Sequence, residues 1–113
     1  MNVPKKYKVI ISEEVDRFLE SVSPKAKNKI FYNINLVAAG VVDRELFKKL
    51  EGTDIWEFRT LYSGTSYRLL AFFDKAEQAL VITTHGFIKK TQKTPQKEIE
   101  RAINIRNEYF KQK

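Results

Sequence analysis

The chain has 113 residues, 42% of them hydrophobic and 12% aromatic, which is enough for the core of one domain spanning 1–113 and too apolar for a disordered chain. It has no cysteine and a single histidine, which excludes disulfide frameworks, thiolate zinc sites, cysteine nucleophiles and His-rich metal centres. A net charge of +7 is in the range of nucleic-acid binders, and residues 85–113 hold eight basic against three acidic residues, although a solvated basic tail has the same composition.

Tyr7 to Ile11 is apolar and β-branched and reads as a first strand. Ser12 is placed to cap a helix whose first turn carries Glu13, Glu14 and Asp16, acids suited to the positive end of the helix dipole. Val15, Phe18, Leu19 and Val22 recur at helical spacing as one apolar stripe. Ser23 and Pro24 restart the chain as cap and first helical residue, and Ala26, Ile30, Ile34, Val37 and Val41 continue a second stripe with Gly40 as its expected C-cap. Two helices across a two-residue break predict an αα-hairpin, with Lys25, Lys27 and Lys29 on its outer face.

Residues 43–54 read as a mixed connector in which Leu46, Phe47 and Leu50 tuck inward while Lys48 and Lys49 stay exposed. Three strands are expected next, at 55–61, 66–73 and 80–85, separated by the turn signals of residues 62–65 and 74–78. Such short turns favour an antiparallel meander. Thr94 and Pro95 open a last helix as N-cap and first residue, with Ile99, Ala102, Ile103, Tyr109 and Phe110 as its stripe. The predicted class is α+β in the order β-α-α-β-β-β-α, a helical hairpin packed on a small antiparallel sheet. No segment approaches the roughly 18–20 apolar residues of a membrane span, and the N-terminus lacks a signal-peptide apolar region, so a cytoplasmic location is expected.

Strand alternation sorts the charged side chains. Trp56, Phe58 and Thr60 share one face of their strand, and Ile55, Glu57, Arg59 and Leu61 the other. In the following strand Arg68, Leu70 and Phe72 oppose Tyr67, Leu69, Ala71 and Phe73, and in the third Val81, Thr83, His85 and Phe87 are expected on one side. If the helices cover the more apolar face, Glu57, Arg59 and Arg68 emerge on the uncovered one, bordered by residues 87–90. Such a surface suits RNA cleavage through the ribose 2′-hydroxyl. Arginine stabilises the charge on the phosphate bidentately and lysine as a point charge, while a base and an acid must move protons. His85 has the side chain whose ordinary titration range best fits either role, Glu57 is a second candidate base, and Phe87 could stack on an unpaired base. Each has a structural alternative: a histidine at a strand end, a carboxylate pairing with Arg59 or Arg68, an aromatic in the core.

Trp-Glu-Phe-Arg59 in one strand, Tyr-Arg68 in the next and His85-Gly-Phe-Ile-Lys-Lys-Thr-Gln-Lys-Thr-Pro95 before a final helix resemble the RelE/ParE toxin superfamily, within it the HigB-like branch that includes phage Gp49-related proteins. The resemblance runs from the first strand to the last helix. It implies a RelE-like fold and a metal-independent mRNA interferase acting on the ribosome by 2′-hydroxyl attack, without a cofactor. It also implies neutralisation by a helix-turn-helix-type antitoxin, through which oligomers could form. The family's basic positions carry over onto Arg59 and Arg68, and its basic and aromatic positions after the strand onto Phe87, Lys89 and Lys90, with Lys93 further along the same segment. Lys48 and Lys49 match less clearly. The expected catalytic set is thus Arg59, Arg68, His85, Lys89 and Glu57, and the RNA-binding set Lys48, Lys49, Phe87, Lys90 and Lys93. Two other functions fit the same residues: a ParE-like toxin that binds a protein such as DNA gyrase, and a non-toxic phage or nucleic-acid-binding accessory protein.

Overall fold

Two serines start the N-terminal helices as the sequence predicts. In this computed structural model, which describes residues 5–113, Ser12 Oγ accepts from the Val15 N–H at 3.2 Å and opens α1 (Glu13–Ser21), and Ser23 Oγ accepts from the Ala26 N–H at 3.2 Å and opens α2 (Pro24–Ala38). The first four residues of the expected 1–113 domain lie outside the described residues. At the end of α2, Gly40 adopts φ +105°, and the N–H groups of Gly40 and Val41 bond back to the carbonyls of Val37 and Leu36. This is a Schellman cap, which needs a left-handed residue where glycine stands.

The strands are β1 (Lys8–Ile10), β2 (Phe47–Lys49), β3 (Trp56–Tyr62), β4 (Thr65–Phe73) and β5 (Leu80–Lys89), followed by α3 (Gln96–Lys111). Two departures from expectation matter. Phe47–Lys49, within the expected connector, is a strand paired antiparallel with β3, because alternation lets Phe47 pack against Trp56 and Phe58 while Lys48, paired with Glu57, takes the other face. The sheet order is β1-β5-β4-β3-β2 and the sheet is mixed rather than antiparallel, since β1 runs parallel to β5. That pairing joins Lys8 to Leu80, too far apart in sequence for any local turn signal to announce it.

The helices occupy both faces of the sheet. The hairpin α1–α2 packs Val15, Leu19, Ile30, Ile34 and Val37 on Phe58, Leu69, Ala71 and Val81. On the other face α3 brings Ala102, Ile103, Tyr109 and Phe110 against Ile55, Leu70, Phe72 and Phe87. The faces expected for β3 and β4 are therefore observed, but the second face is not uncovered. Its α3-covered part is core, and its β3–β4 turn end stays open.

The expected shared face of β5 is also corrected. Leu69 pairs with Gly86 and Ala71 with Thr83, so Thr84 and His85 together oppose Leu70 in a β-bulge. The extra residue reverses the alternation. Val81 and Thr83 lie with the hairpin, whereas His85 and Phe87 turn to the α3 face, where Phe87 pairs with Arg68. Gly86 then faces α1. A Cβ there would lie 2.8 Å from Leu69 Cδ2 and 2.8 Å from Phe18 Cγ, so the bulge and helix meet only because this residue has no side chain.

Candidate RNA-binding cleft

The open end of the α3 face begins with a tight turn. Ser63 and Gly64 both have positive φ, 49° and 79°, the pattern of a two-residue type I′ hairpin, and this turn sets the register of β3 on β4. Arg59 and Arg68 are consequently direct cross-strand partners. Two like charges at such a position repel, by roughly 0.2–1 kcal/mol at an exposed site. The arrangement is held by Glu57, whose Oε1 lies 3.4 Å from Arg59 Nε and 3.2 Å from Arg68 Nε. Neither Nε–H is aligned for a full hydrogen bond to that oxygen, so these are ion pairs shared across one acceptor. Glu57 Oε2 accepts from the hydroxyl of Thr94.

Glu57 and Arg68 are buried, at 2% and 6% exposure, while Arg59 is half-buried. Burial pushes the Arg68 guanidinium below its ordinary pKa and Glu57 opposes the shift; a guanidinium stays charged throughout the working range. Its Nη1 donates to the Tyr67 carbonyl at 3.2 Å and Arg59 Nη1 to the Arg44 carbonyl at 3.1 Å. Each guanidinium has five N–H donors in a planar fork, so donors remain on both for an anion. Lys89, opposite Ser66 on β5, completes the row. Burial first, then repulsion by Arg68, holds its ammonium below the ordinary lysine range.

Arg59, Ser66, Arg68, Lys89, Lys90, Thr91 and Gln92 line one open cleft of about 450 Å³. Four of these residues are cations, with the single carboxylate of Glu57 beneath two of them. A singly or doubly charged oxyanion such as a phosphodiester is the complement of that surplus.

The structure thus brings together Arg59, Arg68, Lys89 and Lys90, with Glu57 below them, and it separates the rest. Lys48, cross-strand from Glu57 on β2, is near enough for its charge to act on Lys89, whereas Lys49 lies 3.9 Å from Asp54 at the other end of β3. Lys93 is exposed on the loop before α3, outside the cleft wall. Phe87 packs in the core beneath α3 rather than standing free as a stacking platform.

His85 is 1% exposed and lies under α3, not in the cleft. Its Nε2 is 3.2 Å from Glu98 Oε1 and its Nδ1 is 3.0 Å from Thr84 Oγ1. The neutral Nε2–H tautomer donates to Glu98, and the single Thr84 hydroxyl proton is shared between Nδ1 and the Leu70 carbonyl, which lies 3.2 Å from the same oxygen. Burial, then the nearby Arg101, pushes the imidazole pKa below its ordinary value, while Glu98 opposes the shift. The expected N-cap of α3 is displaced too. Pro95 occupies the cap position with no side-chain bond, because Thr94 spends its hydroxyl on Glu57.

Sequence reasoning passed over Glu45, Ser66 and Thr94. Glu45 lines an adjoining cavity of about 190 Å³ with Arg59, Thr60, Leu61, Ser66 and Arg68. The alternation of β4 places Ser66 on the face of Arg68 and could have found it; Glu45 and Thr94 sit in loops and carry no such signal.

Among known proteins, a family model described as phage derived protein Gp49-like (DUF891) matches residues 17–107. No curated protein matches the chain.

Proposed function

As the chain belongs to the phage-derived Gp49-like family, whose proteins are RelE-like and toxin-like, we propose that it is the toxin of a type II toxin–antitoxin pair, of HigB-like character, and cleaves mRNA on the ribosome. The observation that carries this reading is the Arg59–Arg68 pair, fixed by Glu57 and flanked by Lys89 and Lys90 in one open cleft. A phosphodiester seated on the two guanidiniums would have its developing negative charge met by preorganised donors, the largest single contribution in most acyl and phosphoryl transfers. The 2′-hydroxyl of the preceding ribose attacks phosphorus and the 5′-oxygen leaves. Lys89, whose ammonium is made a readier proton donor by its surroundings, is the acid for that oxygen. Among the described residues no helix is long and apolar enough to cross a membrane.

A role confined to binding a protein such as gyrase would ask nothing of an oxyanion site, so the cationic cleft favours the nuclease. The test is to map transcript 5′ ends after expressing the wild type and Arg68→Ala at matched levels. The expected result is new ends inside reading frames with the wild type, absent with the variant. Undiminished cleavage and toxicity in Arg68→Ala would overturn the reading, and growth arrest with DNA damage but intact transcripts would point to a protein target instead.

A further inference from the structure

We propose that Glu45 is the general base of the cleft, taking the proton of the ribose 2′-hydroxyl as that oxygen attacks phosphorus. This rests on the RNA-cleaving reading above and names the group that starts the reaction.

The two groups that the sequence offers for the role are closed to substrate. Glu57 is 2% exposed, with one oxygen between the Nε atoms of two arginines and the other held by Thr94. His85 is 1% exposed, with both ring nitrogens engaged beneath α3. Glu45, by contrast, is exposed and walls the cavity that also contains Arg59, Ser66 and Arg68, residues shared with the larger cleft.

Its backbone is fixed from both sides. The Glu45 N–H donates to Asp43 Oδ1 at 2.8 Å. The preceding carbonyl, of Arg44, accepts from Arg59 Nη1 at 3.1 Å, and the following one, of Leu46, accepts from the Arg59 N–H at 2.8 Å. Arg59 therefore grips the residues on either side of Glu45, which ties the carboxylate's place to that of the phosphate-binding guanidinium.

The sheet then arranges the acid and base correctly. An in-line displacement at phosphorus needs them on opposite sides of the phosphate. Lys89 stands on β5, Arg68 and Arg59 on β4 and β3, and Glu45 precedes β2, so in the order β5-β4-β3-β2 the two arginines lie between acid and base. The O2′–H bond breaks with its proton passing to Glu45, the bond from O2′ to phosphorus forms, the bond from phosphorus to O5′ breaks, and O5′ takes a proton from Lys89. The products are a 2′,3′-cyclic phosphate and a 5′-hydroxyl; exchange with water restores both side chains.

The experiment measures single-turnover cleavage of a ribosome-bound mRNA across pH for the wild type, Glu45→Gln and Glu45→Asp. Alongside it, affinity is measured for the same mRNA carrying 2′-deoxyribose at the cleaved position, with a thermal melt of each variant. Glu45→Gln is expected to slow cleavage by ~10²–10⁴-fold, to lose the fall in rate at acid pH, and to bind the 2′-deoxy mRNA within about twofold of the wild type. Glu45→Asp should keep part of the rate and the acid limb. If Glu45→Gln cleaves normally with the acid limb intact, or loses rate only in proportion to affinity, Glu45 is not the base and the nuclease reading stands. If the wild type cleaves no RNA, both fall together.

Discussion

Thr94 and Glu57, 37 residues apart in the chain, are joined by a hydrogen bond from the threonine hydroxyl to a buried carboxylate oxygen. The same carboxylate sits beneath Arg59 and Arg68, so the loop entering α3 is tied to the cationic end of the sheet through one side chain. This bond replaces the helix cap that Thr94 would otherwise make.

Thr94→Val keeps the shape of the side chain and removes its donor, leaving Glu57 Oε2 without that partner. The expected cost is about 1–3 kcal/mol, the range for a buried polar group left unsatisfied. It should appear as a lower urea midpoint with an unchanged slope, and Thr94→Ser should recover most of it. A Thr94→Val midpoint equal to that of the wild type would show that the bond does not hold Glu57.

Glu57→Ala strips the counter-charge from Arg68, which is 6% exposed and cannot turn to solvent without moving β4. Removing one member of a buried pair costs roughly 3–5 kcal/mol because the other charge is left uncompensated. Adding Arg68→Leu removes that charge, so the double variant should be more stable than the sum of the two single losses implies. Strict additivity in urea unfolding would count against the pair.

Gly86→Ala is expected to destabilise by about 1–3 kcal/mol through overpacking, since the new methyl would press on Leu69 and on the Phe18 ring. Backbone strain is not the cause, as Gly86 is not among the residues with positive φ. Shortening the neighbour in a Phe18→Leu/Gly86→Ala double variant should return part of the loss in a thermal melt. No return would place the cost elsewhere.

His85 makes stability depend on pH, with a sign opposite to that of an exposed, carboxylate-paired histidine. Its pKa is lowered in the folded protein, so the unfolded chain binds the proton more readily. The stability it contributes is complete above the unfolded value near 6.5 and is lost as the pH falls through the lower, folded value. Wild-type urea midpoints should therefore fall from about pH 7.5 to about pH 5.5, and His85→Gln should flatten that fall. An equally steep fall in the variant would assign it to other groups.

The hairpin, its two serine caps, the three long strands and the split of Glu57, Arg59 and Leu61 from Trp56, Phe58 and Thr60 follow from local spacing and turn chemistry. Local spacing puts Arg59 and Arg68 on one face provided the strands pair in register, and the two-residue Ser63–Gly64 turn of the folded chain supplies that register. These are properties of neighbouring residues, and neighbours are what a sequence displays. The parallel β1–β5 contact, the bulge that turns His85 away from Thr83, the covering of His85 by α3, and the meeting of Thr94 and Glu45 with Glu57 and Arg59 join segments far apart in the chain. Each depends on how much apolar surface remains to be covered once the sheet has formed. That balance is struck among all the elements at once, so tertiary packing alone decided which acids reach the cleft and which are sealed beneath it.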